Sequence, residues 1–307
     1  MARDRDGHAF DLASIDCPVC GKGPRSVLGR RGGPSHRYGL GVETAIVQCR
    51  SCGLLFPDPF PFPRDPQDLY GHPDEYFGSA HDQVKFENTR GIVAEIALRC
   101  GIEQPRLLDV GCGRGELVHI ARQRGFDAVG TEFSEAMIAA ARERYGLTLI
   151  RSSLEELART RPAPFDAVVL SAIIEHVHDP DSLIAGVHAV THPGSVIYID
   201  TPREPNLLTM LANASSRLRG SRVVYNLSPS WPPYHVFGFN PRALRHLLAK
   251  YDMEIVGLRS HAVARVPSRG GRRDRIAALL ATQVNHVANL TGTARNMNAW
   301  ARRRTVA

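Results

Sequence analysis

The chain has 307 residues, 43% of them hydrophobic, and a formal net charge of +7. That length accommodates one large domain with attachments, and no apolar run approaches the roughly 18 residues that a membrane-spanning helix needs. The N-terminus is charged and lacks an apolar signal core, so a cytoplasmic protein is expected, with its six cysteines serving as metal ligands or free thiols rather than disulfides.

The charge is unevenly placed. From Arg265 onward there are nine arginines and one acid, Asp274. The basic excess is therefore a property of the C-terminal region, and the rest of the chain is not composed as a nucleic-acid-binding body.

In chain order, residues 1–13 are polar and mixed in charge, and disorder is expected there. Cys17-Pro-Val-Cys20-Gly and Cys49-Arg-Ser-Cys52-Gly follow, separated by 28 residues. Each C-x-x-C pair can chelate from a tight turn, and four thiolates suit a closed, tetrahedral, structural zinc. The glycine after each second cysteine fits a turn that needs positive φ. An iron–sulfur centre or a redox pair is the alternative. Val42–Gln48 is predicted to be a strand entering the second knuckle, and His36 a loop histidine. Residues 1–57 are thus expected to form a zinc ribbon, and the proline-rich 58–81 a linker anchored by Tyr70, Tyr76 and Phe77.

A helix is predicted over Asp82–Cys100. Arg106-Leu-Leu-Asp-Val-Gly-Cys-Gly-Arg-Gly-Glu-Leu-Val118 then reads as a buried strand, a loop of bare backbone carrying Asp109, Gly111, Gly113 and Gly115, and a helix start whose N–H groups and dipole suit an anionic ligand. Asp127–Glu132 reads as a second strand ending in a carboxylate placed to accept hydrogen bonds from a ribose. Leu147–Leu154 reads as a third strand, and Phe165–Ile174 as a fourth, followed by Glu175-His176-Val-His178-Asp179-Pro180. A dinucleotide fingerprint would place glycine at Glu116, which argues against a dehydrogenase.

These four motifs, in this order, resemble class I S-adenosylmethionine (SAM) dependent methyltransferases of the UbiE/UbiG-like type (methyltransferase type 11/23). The resemblance spans roughly residues 82–260 and rests on the D-x-G-x-G-x-G loop. It implies a doubly wound α/β fold, with a Rossmann-like seven-stranded methyltransferase sheet. It also implies that Asp109, Gly111, Cys112, Gly113 and Gly115 cradle SAM and that Glu132 and Phe133 meet its ribose. Ser153 and Leu154 fall where the family contacts adenine, Ser153 replacing the usual Asp. Ser171 closes the fourth strand. His176 is the first candidate for a general base, since its ordinary pKa lies near neutrality; its other reading is a residue that caps or packs under SAM.

Ser195–Pro202 is predicted as the fifth strand. The insertion 203–237 carries a helical apolar pattern at Leu207, Leu208, Met210, Leu211 and Leu218, then Trp231, Tyr234 and His235. It is expected to form the acceptor lid, with His235 as the alternate base. Trp231-Pro-Pro-Tyr234 is like the signature of amino-group methyltransferases, but that signature belongs after the fourth strand, so the match is rejected. Asn240 is expected to cap a helix begun by Pro241. Met253–Leu258 is predicted as the sixth strand and His261–Val266 as the seventh.

The methyltransferase domain is thus assigned to 82–266, followed by a basic helical tail over 267–307 with Ile276, Leu279, Leu280, Val284, Val287 and Leu290 at helical spacing. That tail is expected to pack on the domain or a second copy in a homodimer, to touch an anionic membrane peripherally, or to contact RNA, in that order. The functional expectation is SAM-dependent methylation of a small-molecule acceptor at oxygen: a natural product, quinone, sugar or lipid-linked precursor. Two alternatives stand beside it. One is an RNA methyltransferase gripping nucleic acid through the tail and Lys22, Arg25, Arg30, Arg31, Arg37 and Arg50; the other is a non-catalytic SAM-binding scaffold.

Overall fold

The computed structural model of the chain describes residues 1–21, 23–65, 69, 82–229, 234–268 and 270–305. They form two compact units. The first comprises Met1–Arg64, Asp200–His246 and Gly257–Ala299; the second comprises Asp65–Ile199, Leu247–Val256 and Trp300–Ala307. Tyr70, Tyr76, Phe77, Lys22 and Trp231, singled out above, lie outside the described residues.

The first unit opens with six short strands: β1 (Ala2–Arg3), β2 (Ala9–Ala13), β3 (Arg25–Arg31), β4 (Thr44–Cys49), β5 (Leu55–Asp58) and β6 (Phe60–Pro63). They pair as two antiparallel sheets, β1-β2-β6 and β3-β4-β5. The expectation of disorder over residues 1–13 is therefore corrected. The order there has a physical source: the Asp4 carboxylate accepts the N–H groups of Asp6 and His8 at 3.0 and 2.9 Å, closing the turn, while Phe10 is buried. The start of the expected linker is corrected as well. Phe60–Pro63 pairs with β2, at a sheet edge where prolines are tolerated.

The chain then runs through α1 (Asp82–Cys100), β7 (Arg106–Val110), α2 (Glu116–Gln123), β8 (Asp127–Thr131), α3 (Glu135–Tyr145), α4 (Leu154–Arg159), β9 (Phe165–Ser171), α5 (Pro180–Ala189) and β10 (Thr191–Pro202). Next come α6 (Leu207–Leu218), α7 (Pro241–Ala249), β11 (Met253–His261), α8 (Arg272–Leu290) and β12 (Asn296–Arg303). The central sheet has the order β11-β12-β10-β9-β7-β8, with β7 parallel to both β8 and β9. Leu107 and Leu108 of β7 and Val168, Val169 and Leu170 of β9 are fully buried, as continuous apolar runs in a doubly covered parallel sheet should be. Leu117, Val118 and Ala121 of α2, Val93 and Ile96 of α1 and Ala141 of α3 pack on that sheet.

Two strand expectations are corrected. The third, Leu147–Leu154, is reduced to a bridge between Thr131 and Ile150. The seventh is not His261–Val266. The backbone there is held instead by α8: Asn289 bonds both main-chain groups of Ala262, and Asn285 Nδ2 donates to Val263 C=O. The sheet takes β12 in its place. Met297, Ala299 and Ala301 are buried on alternate residues. The strand begins beside the end of β10, where Arg203 N–H donates to Arg295 C=O, and finishes beside the start of β11, where Arg304 N–H donates to Asp252 C=O. It therefore runs against both neighbours.

Candidate cofactor site and cysteine centre

The glycine loop gets its shape from three positive φ angles: 62° at Gly111, 56° at Gly113 and 78° at Gly115. Gly115 is the N-cap of α2, in the left-handed region. A Cβ at Gly111 would collide with Ile173 Cδ1, and one at Gly115 would lie 2.7 Å from Leu147 Cδ1. Cys112 N–H donates to Thr131 C=O at 3.0 Å, tying the loop to β8. Burial pushes the Cys112 thiol far above its ordinary range, so it acts as a small filler. One pair escaped the sequence reading: Arg114 and Glu116, both buried, form an ion pair of 2.8 Å within the loop. Nothing in their spacing signals that both would be buried.

Strand register brings the site together. Asp109 pairs with Gly130 on one side and Val169 on the other, so Gly111, Glu132 and Ser171 stand level at the carboxyl ends of β7, β8 and β9. The Glu132 carboxylate accepts Gly113 N–H at 2.9 Å, Phe133 N–H at 2.7 Å and Ser134 N–H at 2.8 Å. Burial nonetheless raises its pKa, against those three donors. Phe133 presents an exposed ring beside it. Ser153 is the N-cap of α4: its hydroxyl accepts Glu156 N–H, and the Glu156 carboxylate accepts Ser153 N–H. Leu154 beside it is buried.

After Ser171 the backbone turns sharply, with Ala172 at φ 54°. Glu175 is buried, and the His176 side chain is 10% exposed, its Nε2 4.0 Å from Glu175 Oε1. Burial lowers the pKa of His178. Asp179 caps α5 by accepting the N–H groups of Asp181 and Ser182. A bare-backbone loop facing a helix start, a carboxylate level with it on the neighbouring strand, and a strained turn bearing a histidine fit a nucleoside with a charged tail. These residues accommodate SAM.

The four cysteines assemble in the first unit. Their sulfurs lie within 4.8 Å of one another, with Cys17–Cys52 at 3.6 Å and Cys20–Cys49 at 3.3 Å. A tetrahedral zinc with bonds of about 2.3 Å holds its sulfurs roughly 3.8 Å apart, so the donor set fits. Gly21 and Gly53 have φ of 74° and 83°, and their N–H groups close each knuckle on Cys17 and Cys49 C=O at 2.8 Å. The hydrogen bond with Cys52 lowers the pKa of the Cys17 thiol, while burial raises that of Cys20. His36 is not part of this centre.

Several of the basic residues considered as nucleic-acid grips have partners within the fold, whereas Arg37 and Arg50 are exposed. Arg25 pairs with Asp58 at 2.9 Å and Arg30 with Glu43 at 3.1 Å. Buried Arg31 donates to the main-chain carbonyls of Leu227 and His235. Arg302 donates to Gly194 and Arg99 C=O, Arg303 to His188 and Thr191 C=O, and Arg304 pairs with Glu254. His235 belongs to the first unit, next to Tyr234, whose hydroxyl donates to Asp4 at 2.8 Å.

Known proteins agree with this geometry. A family model described as a methyltransferase domain matches residues 83–258. The ubiquinone biosynthesis O-methyltransferase of Pseudomonas aeruginosa is 32% identical over 108 residues, 34% of this chain and 47% of that protein. The corresponding protein of Azoarcus sp. is 29% identical over 168 residues, 52% of this chain and 68% of that one. The chain spans about half the length of the first curated relatives it matches, at 47%. Among solved structures, a SAM dependent methyltransferase from Archaeoglobus fulgidus superposes with a TM-score of 0.51 and 18% identity, over 78% of this chain and 100% of that one, a likeness of fold. With its glycine loop, its Glu132 and a family match over more than half its length, the chain belongs to the methyltransferase-domain family.

Proposed function

We propose that the chain transfers a methyl group from SAM to an oxygen atom of a small-molecule acceptor. The observation that carries this reading is the alignment of Gly111, Glu132 and Ser171 at one level of the sheet, in a chain of this family. The names of the curated relatives, O-methyltransferases, support oxygen as the acceptor atom. In this reading Asp109, Gly111, Cys112, Gly113 and Gly115 form the floor under SAM, and Glu132 accepts the ribose hydroxyls beside Phe133. Ser153 and Leu154 border the adenine, and Ser171 borders the amino-acid end. Cys17, Cys20, Cys49 and Cys52 hold a structural zinc, a centre closed to substrate.

SAM supplies a methyl group already activated on a sulfonium. The protein is left to align the acceptor, exclude water and remove the hydroxyl proton. His176 takes that proton, its ring standing beside the buried Glu175 carboxylate. His235 is the alternate base. Calorimetric titration tests the first half: Glu132→Ala and Gly113→Arg should abolish or strongly weaken SAM binding, and unchanged affinity in both sinks the reading. His176→Ala tests the second half. It should keep SAM affinity and lose turnover, and retained turnover would remove His176 from the chemistry.

A further inference from the structure

Two helices of the first unit turn their apolar sides outward. A surface helix ordinarily buries its leucines and exposes its polar residues. In α6 the buried residues are Thr209, Asn213 and Ser216, while Leu208, Leu211 and Leu218 form an outward stripe, Leu218 at 90% exposure. In α8 the buried residues are Ala278, Asn285 and Ala288. Ile276, Leu279, Leu280, Val287 and Leu290 face out, with Leu279 at 64% and Leu280 at 63% exposure.

Hydrogen bonds fix this orientation. Asn213 donates to Asn226 Oδ1 at 2.7 Å and accepts Tyr225 N–H at 2.9 Å; Ser216 donates to Val223 C=O at 2.8 Å. Asn285 and Asn289 of α8 bond the main chain at 262–263. Rotating either helix to bury its leucines would break these bonds. The helices also meet: Leu207 N–H donates to Thr293 C=O at 2.9 Å, and Leu207 packs on the cluster containing Ala288.

The rim is basic. Arg217, Arg219, Arg222, Arg272 and Arg275 are exposed on or just after these helices, against a single acid among their described residues, Asp274. Arg272 stands one turn before Ile276, and Arg275 one turn before Leu279, on the leucine side. No described helix is long and apolar enough to cross a membrane.

We propose that the joint face of α6 and α8 docks on an anionic lipid bilayer surface, the leucines entering the headgroup boundary and the arginines meeting lipid phosphates. A second copy of the chain would cover the leucines but bring two arginine rims together. Anionic headgroups answer both features.

The test is co-sedimentation of the full chain with vesicles of phosphatidylcholine alone and of phosphatidylcholine mixed with phosphatidylglycerol. Binding is expected only to the mixed vesicles and should weaken with added salt. Leu279→Ser/Leu280→Ser should lower the partition about tenfold or more, with the thermal unfolding midpoint and SAM affinity unchanged. Arg272→Ala/Arg275→Ala should lower it too. The proposal is overturned if the unaltered chain ignores the mixed vesicles, or if both double variants bind as it does. It is equally overturned by light scattering that finds a dimer which Leu279→Ser/Leu280→Ser splits, since the face would then belong to a second copy.

Discussion

Glu132 gathers three backbone N–H groups, from Gly113, Phe133 and Ser134, while burial raises its pKa. It is both a latch on the glycine loop and the proposed ribose acceptor. Charged hydrogen bonds of this kind contribute about 1.5–3 kcal/mol each. Glu132→Gln, which keeps the shape, should therefore raise the dissociation constant for SAM by roughly tenfold to a hundredfold in a calorimetric titration. Glu204 makes a second residue-scale case. Its buried carboxylate accepts Asn226 Nδ2 at 2.6 Å and Thr209 Oγ1 at 3.3 Å, yet desolvation pushes it up to about 7 from the ordinary 4.5. A carboxyl with a raised folded-state value stabilises the fold most below its unfolded value, and that contribution is lost as pH rises through the folded value. The melting temperature should fall between pH 4.5 and 7 more steeply in the unaltered chain than in Glu204→Gln; parallel profiles would contradict the assignment. Glu132 was legible because a strand-final acid after a glycine loop has a recognisable spacing. Glu204 was not, because an acid in an insertion reads as solvated until its donors Asn226 and Thr209 are placed.

Single elements carry links between distant parts of the chain. Asn240 caps α7 by accepting the N–H groups of Arg242 and Ala243 at 2.9 Å, and its Nδ2 donates to Gly53 C=O in the second cysteine knuckle at 2.7 Å. Leu55, just past the knuckle, exchanges both backbone bonds with Gly238. The cysteine centre therefore braces the segment that leads from the insertion into α7. Cys52→Ser, or prolonged chelation, should remove the proposed zinc by elemental analysis and lower the melting temperature by roughly 5 °C or more. An unchanged melting temperature would mean the knuckles stand without a metal. The gathering of the four cysteines was readable because C-x-x-C-G puts two thiols on one tight turn. β12 was not readable, because its alternating buried residues are Met297, Ala299 and Ala301, set among Asn298, Trp300 and arginines. Two alanines per strand are a faint period-2 signal, and the arginines looked like a solvated tail until their carbonyl acceptors were in view. Helix α8 was readable as a helix, but its facing was not. Periodicity shows that leucines share a side without showing which side is buried.

At the scale of the molecule, the first unit draws on three separated stretches of chain, and the central sheet of the second is completed by the last strand. Such long-range joins are invisible to local pattern, which is why the successive strands of the central motif were legible and the company of the N-terminal strands was not. A chain ending after Gly292 would lose β12 from between β11 and β10, and it should aggregate or unfold non-cooperatively; a detachable basic arm would leave the melting curve unchanged. Methyl transfer to a small molecule is the activity proposed for the whole molecule. Its most direct test is incubation of the purified chain with methyl-labelled SAM and a cell extract, followed by separation into RNA, protein and organic-soluble fractions. Label is expected in the small-molecule fraction and should be lost in His176→Ala. Label confined to RNA or protein would contradict it.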